Sequence, residues 1–135
     1  MDALSDDRGQ ALVLAVLALA IAAATIVGLR ATQDRILADA RERRAGEAAI
    51  EAAGAALADA QIELVAPGRA ELEALVTDPL VIERSRRAAD ALSAANGGPA
   101  TTDLVIAVGP RTIEIALSVG AHRQRAAIET SCCRR

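Results

Sequence analysis

Residues 11 to 29 decide the fold: they read ALVLAVLALAIAAATIVGL, 19 residues without a charge. Arg8 precedes this stretch and Arg30 follows it directly. A helix of this length extends roughly 28 Å at about 1.5 Å per residue, which is close to the hydrocarbon thickness of a bilayer. Each Leu, Ile or Val in it favours insertion by about 0.3 to 0.6 kcal/mol. The stretch therefore predicts one transmembrane helix.

Two other kinds of segment share this apolar composition. A buried core helix is normally shorter and amphipathic, whereas these residues are apolar on every side. A cleaved secretory signal requires a small-x-small site, and residues 20–22 and 22–24 both provide one. Such a signal begins with a basic region, but this leader carries Asp2, Asp6 and Asp7. A retained membrane helix accounts best for both the length and the flanks.

The arginines around the stretch bear on its orientation. Arg8 and the terminal amine are the basic groups before it, and five arginines follow closely. Counted alone, this asymmetry favours a cytoplasmic location for the residues after the helix. The five are Arg30, Arg35, Arg41, Arg43 and Arg44.

An Ala-rich helix is predicted to continue over residues 30–66, because Ala, Arg and Glu are good helix formers and no proline occurs before Pro67. Asp39 and Glu47 lie four residues on either side of Arg43, so both are expected to pair with it on a solvated face. One seven-residue register is apolar except at Arg43 and predicts a packing stripe. The stripe consists of Leu29, Ile36, Ile50, Leu57 and Leu64.

Residues 67–135 are predicted to form a small domain of helices and antiparallel strands. Pro67 and Gly68 end the long helix, and helices are expected over 69–76 and 80–95. Alternating apolar residues predict strands over 103–108 and 111–119, joined as a hairpin, with a weaker third strand over 121–130. This order predicts an α+β fold with a two- to three-stranded sheet that needs a helix on one face.

The composition favours a structural role over catalysis. His122 is the only histidine, so His-based catalytic triads and metal sites lack members. The net charge of −3 and the absence of Phe, Trp and Tyr argue against nucleic acid as a partner. We therefore expect no enzyme activity, no cofactor and no metal.

Cys132 and Cys133 are adjacent and lie near the C-terminus. They do not form the spaced framework of a disulfide-rich domain, and a bond between neighbouring cysteines is strained. Two interpretations stay open: an incidental tail, or an intermolecular cross-link.

The junction before the apolar helix carries a more specific pattern. Arg8 to Leu14 read RGQALVL, which places Gly9 between a charged leader, residues 1–9, and the apolar helix, residues 10–29. With its basic and then Ala-rich continuation, the region of about 8 to 60 resembles type IV pilin-like precursors, most closely the TadE/TadG-like pseudopilins of tight-adherence (Tad) pilus systems. Such subunits commonly have Glu at the fifth residue after the junction; this chain has Leu14, as minor or tip pseudopilins can.

The resemblance implies a pilin-like fold and cleavage by a prepilin peptidase between Gly9 and Gln10 at the cytoplasmic face. It also implies a single pass in the bacterial cytoplasmic membrane, with the C-terminal domain outside the cytoplasm and possible incorporation into a pilus. The implied partners are other pilin-like subunits, the peptidase, platform proteins of the pilus or secretion system, and the bilayer. The helix would contact subunits or lipid through Leu12, Leu14, Leu17, Leu19, Ile21, Ile26 and Leu29.

The expected function is thus that of a minor pseudopilin-like component of a Tad or type IV-related apparatus. The alternative is an unprocessed single-pass accessory protein that uses its domain for interactions.

Overall fold

The computed structural model describes residues 3–64 and 67–130. Within these ranges three helices precede three strands, which confirms the predicted α+β order with the third strand included. The chain divides into two compact units, Met1–Ala38 and Asp39–Arg135, so the second unit includes the last part of the first helix. The elements are α1 (Ala3–Ile62), α2 (Arg69–Thr77), α3 (Pro79–Ala95), β1 (Thr101–Val108), β2 (Thr112–Val119) and β3 (His122–Glu129).

A single residue, Asp78, separates α2 from α3. Its backbone N–H donates to the carbonyl of Leu75 at the end of α2, and its side chain accepts from the N–H of Leu80 at 2.8 Å. Pro79 occupies the first turn of α3, where its missing N–H leaves no helical bond unmade. Asp78 therefore caps both helices.

The end of α3 turns the chain towards the sheet. Gly97 has φ +75°, and its N–H donates to the carbonyl of Ala94 while the N–H of Gly98 donates to that of Ser93. This is a Schellman motif, which glycine favours because it adopts positive φ without strain. The carboxylate of Asp90 then accepts from the N–H and hydroxyl of Thr101 at 2.7 and 2.6 Å, which fixes the start of β1 to α3.

The sheet is antiparallel in the order β1-β2-β3. Gly120, with φ +56°, lies in the two-residue turn between β2 and β3, a position where hairpin turns require positive φ. The β1–β2 ladder contains a bulge between Thr102 and Val105, and Asp103 has φ +54° there. By contrast, all eight residues of β3 pair with β2 in regular register.

The core lies between the inner face of the sheet and the helices. Every second residue of β2 is buried, as the alternation predicts: Ile113, Ile115, Leu117 and Val119. A Cβ added at Gly54 would lie 3.8 Å from side-chain atoms of Ile115 and Ile128, so α1 covers β2 and β3. The helices contribute Ala45, Ala49, Ile50, Ala53 and Leu57 from α1, Leu72 and Val76 from α2, and Ala89 from α3.

The predicted seven-residue stripe is divided between the two units. Ile50 and Leu57 belong to the core of the second unit. Leu29 and Ile36 are 59% and 62% exposed in the first unit. Of the stripe, Ile50 and Leu57 thus pack in the core, whereas Leu29, Ile36 and Leu64 lie outside it.

Candidate functional site

Within the described residues, one helix is long and apolar enough to cross a membrane, and it is α1. Its most apolar 18-residue window has a mean hydropathy of 2.8, and none of that window is buried within the chain. By length and composition, the helix is a candidate membrane span.

The seven large side chains predicted to contact lipid or other subunits are all exposed. Their exposure ranges from 54% at Leu17 to 72% at Leu19. Exposed apolar surface on this scale marks a site for lipid or for protein partners. The other five are Leu12, Leu14, Ile21, Ile26 and Leu29.

Two threonines of α1 satisfy their polar hydroxyl groups within the helix, which makes them compatible with an apolar environment. The hydroxyl of Thr25 donates to the carbonyl of Ile21 at 2.8 Å, and that of Thr32 donates to the carbonyl of Gly28 at 2.9 Å. Because the donors are satisfied within the helix, Thr25 presents its methyl group without an unpaired hydrogen-bond donor.

Gly9 and Gln10, the predicted processing residues, are helical and exposed. A Cβ added at Gly9 would meet no atom within 4 Å, so packing within the described chain does not require a glycine here. The same holds for Gly28 further along the helix.

The single histidine lies at the start of β3 and contacts α1. Nε2 of His122 is 2.9 Å from Oδ1 of Asp39, and the Glu42 carboxylate lies close to Gly120 in the adjoining turn. Asp39 was predicted to pair with Arg43, but in the described structure Arg43 pairs with Glu47 at 3.4 Å. The His122 contact takes the place of one predicted ion pair.

Two further ion pairs between described residues lie on exposed surfaces of α2 and α3. Arg69 pairs with Glu73 at 2.8 Å, and Arg87 pairs with Glu83 at 2.9 Å, each at i,i+4 spacing. Among the described residues, no group of three His, Cys, Asp or Glu side chains is placed to hold a metal. Cys132 and Cys133 lie outside the described residues.

The outer face of the sheet carries a depression of about 580 Å³ that sequence reasoning missed. Across its middle, Ala116 of β2 lies between Val105 of β1 and Arg125 of β3. The neighbouring row places Glu114 between Ala107 and Ala127. Short alanine side chains flanked by longer ones create the hollow, which Arg123 also lines.

The alternation of β3 was a usable signal for this surface, since HRQRAAIE puts Arg123 and Arg125 on one face. The depression itself depends on which strands are neighbours, so it could not be predicted from β3 alone.

Comparisons of the chain with protein-family models, curated proteins and solved structures gave no match.

Proposed function

We propose that this chain is a minor pseudopilin-like structural component of a bacterial Tad or type IV-related pilus or secretion apparatus, without enzymatic activity. The observation that carries the proposal is the exposed apolar helix that follows directly on the RGQ junction at Arg8 to Gln10. Such a helix can lie in a bilayer before assembly and against similar helices afterwards, because both environments remove its side chains from water.

The junction supports processing on physical grounds. Glycine offers a protease an unhindered backbone, and Gly9 has open space around the position of its missing Cβ. Removing residues 1–9 would take away three Asp and one Arg, which changes the net charge from −3 to −1. A less charged N-terminus at the membrane surface is easier to pack against neighbouring subunits.

In this proposal the chain crosses the bacterial cytoplasmic membrane once, and the sheet lies outside the cytoplasm. Prepilin peptidase processes it, platform proteins extract it, and other pilin-like subunits pack on the helix. Leu14 stands where bulk subunits commonly have Glu, so a minor or tip position fits better than a repeating one.

The test is mass spectrometry of the N-terminus after co-expression with an active prepilin peptidase. The expected mature chain begins at Gln10, and Gly9→Val should abolish processing because the side chain obstructs the protease. Gly28→Val is the matched control: it makes the same change in the same helix, also in open space, and should be processed normally. An intact Met1 with the active peptidase would refute the proposal.

The five arginines after the apolar stretch favour a second candidate, an unprocessed anchor with its domain in the cytoplasm. A C-terminal reporter that is active on only one side of the membrane separates the two. Extracytoplasmic activity supports the pseudopilin proposal, whereas cytoplasmic activity with an intact Met1 supports the accessory anchor.

A further inference from the structure

The free edge of β3 has an identifiable row of hydrogen-bonding groups. The N–H of Thr130 donates to the carbonyl of Arg111 at 3.0 Å, which extends the β2–β3 register by one pair. In an antiparallel ladder the N–H and C=O of one residue point the same way and alternate along the strand. The even-numbered residues of β3 therefore bond to β2. The groups that point outward belong to Arg123, Arg125, Ala127 and Glu129.

These four residues are exposed, and within the described chain no hydrogen bond reaches their outward backbone groups. The edge is regular over the full eight residues of β3. An unpaired, regular edge is a template for an added strand.

The opposite edge of the sheet is less suited to strand addition. β1 is interrupted by the bulge between Thr102 and Val105, with Asp103 in a left-handed conformation. Bulges of this kind bend an edge away from further pairing. In addition, α2 and α3 both lie next to β1. Of the two edges, the β3 edge is therefore better suited to the addition of a strand.

The charge on this edge indicates the kind of segment that fits. Arg123 and Arg125 extend on the outer face, and neither forms an ion pair with a described residue. Both line the depression, whose floor includes Ala116 and Ala127. Opposite charges directly across neighbouring strands stabilise their pairing, and like charges oppose it.

We propose that β3 binds an extended acidic segment of a partner protein as a fourth, antiparallel strand. Carboxylates at alternating positions of the segment lie opposite Arg123 and Arg125, and a small apolar residue lies opposite Ala127. The main-chain bonds to the four outward residues provide affinity, while the arginines select the acidic segment. The proposal goes beyond the pseudopilin role and does not depend on leader cleavage.

A second copy of this chain is a weaker fit, although Arg123 could face Glu129 if two β3 strands paired around Ala126. In that register Arg125 of each copy lies opposite Ala127 of the other, so no carboxylate lies across from it.

The test uses the full-length chain in detergent micelles and the labelled peptide Lys-Val-Val-Thr-Glu-Thr-Glu, whose glutamates fall opposite Arg125 and Arg123 in this register. Binding is followed by fluorescence anisotropy. We expect saturable binding that weakens at least about 10-fold when both glutamates become Gln or when the chain carries Arg123→Glu with Arg125→Glu. The matched control, Arg84→Glu with Arg86→Glu on exposed α3 sites, should bind as the parent does.

Ala127→Pro separates strand addition from simple charge attraction. It removes an outward N–H and leaves the ladder to β2 intact, so the chain should keep its far-UV spectrum but lose peptide binding. Amide exchange should slow on binding at residues 123, 125, 127 and 129. Undiminished peptide binding by the Pro variant, or unchanged amide exchange, would overturn the proposal. So would arginine-dependent binding to anionic phospholipid vesicles together with no binding to the peptide. Self-association through β3, measured by sedimentation and abolished by Ala127→Pro, would also overturn it in favour of a second copy.

Discussion

Nε2 of His122 lies 2.9 Å from Oδ1 of Asp39, although the two residues are 83 positions apart in the chain. Asp39 is the first residue of the second compact unit, and His122 is the first residue of β3. The hydrogen bond therefore joins the start of the helical layer to the turn between the last two strands.

Replacing either partner should destabilise the second unit modestly. Asp39→Ala and His122→Ala are each expected to lower the free energy of unfolding by about 0.5 to 1 kcal/mol, since the carboxylate is largely exposed. The double variant should lower the free energy of unfolding by little more than the more destabilising single variant does. Urea unfolding by far-UV circular dichroism measures this, and strictly additive losses would show that the pair is not coupled.

Leu57 is the largest α1 side chain that is fully buried, so its truncation should be costly. Leu57→Ala is expected to lower the free energy of unfolding by about 2 to 5 kcal/mol through lost burial and a residual cavity. Leu80→Ala makes the same change at a side chain that is 78% exposed and should have an effect within about 0.5 kcal/mol. Equal losses in urea unfolding would contradict the described core.

Two glycines should respond in opposite directions to the same substitution. Gly54→Ala places a methyl group in ordinary contact with Ile115 and Ile128 and should stabilise the unit by about 0.5 to 1 kcal/mol, because alanine is the better helix former. Gly98→Ala would push a methyl group into Ala45 and Ser93 and should lower the melting temperature. A stabilised Gly98 variant would show that the α3–β1 loop lies further from α1 than described.

A charge at the centre of the apolar helix should prevent stable insertion. Leu19→Arg replaces a favourable residue with one that costs about 2.5 to 3.5 kcal/mol at the middle of a bilayer. The protein should move from the alkali-resistant membrane fraction to the soluble or degraded fraction. Ile36→Arg, at another exposed site beyond the apolar stretch, is the control and should remain in the membrane. Normal membrane retention of the Leu19 variant would count against a spanning helix.

Local patterns predicted most of the secondary structure. The alternation in TIEIALSV and the breaks at Pro67 and at residues 96–99 act over a few residues, so they could be read directly. The sequence signal for the third strand is weaker because HRQRAAIE has few large apolar residues. Ile128 becomes partly buried only because β3 lies beside β2.

The features that could not be predicted depend on distant parts of the chain. The contact of His122 with Asp39, the bulge at Asp103 and the depression on the outer face each arise from the register between elements. Likewise, the composition of α1 changes little around residue 38, and only packing against the sheet distinguishes the residues that follow.

The buried alanines of α1 have a consequence for how this sequence can evolve. Ala45, Ala49 and Ala53 are completely enclosed, so a longer side chain at any of them would force α1 away from the parts of the chain packed against it. Substitutions at these three positions should therefore be restricted to Gly, Ala and Ser, while the outward positions of the helix between them vary freely. A periodic run of invariant small residues is a mark by which descendants of this chain would be recognised.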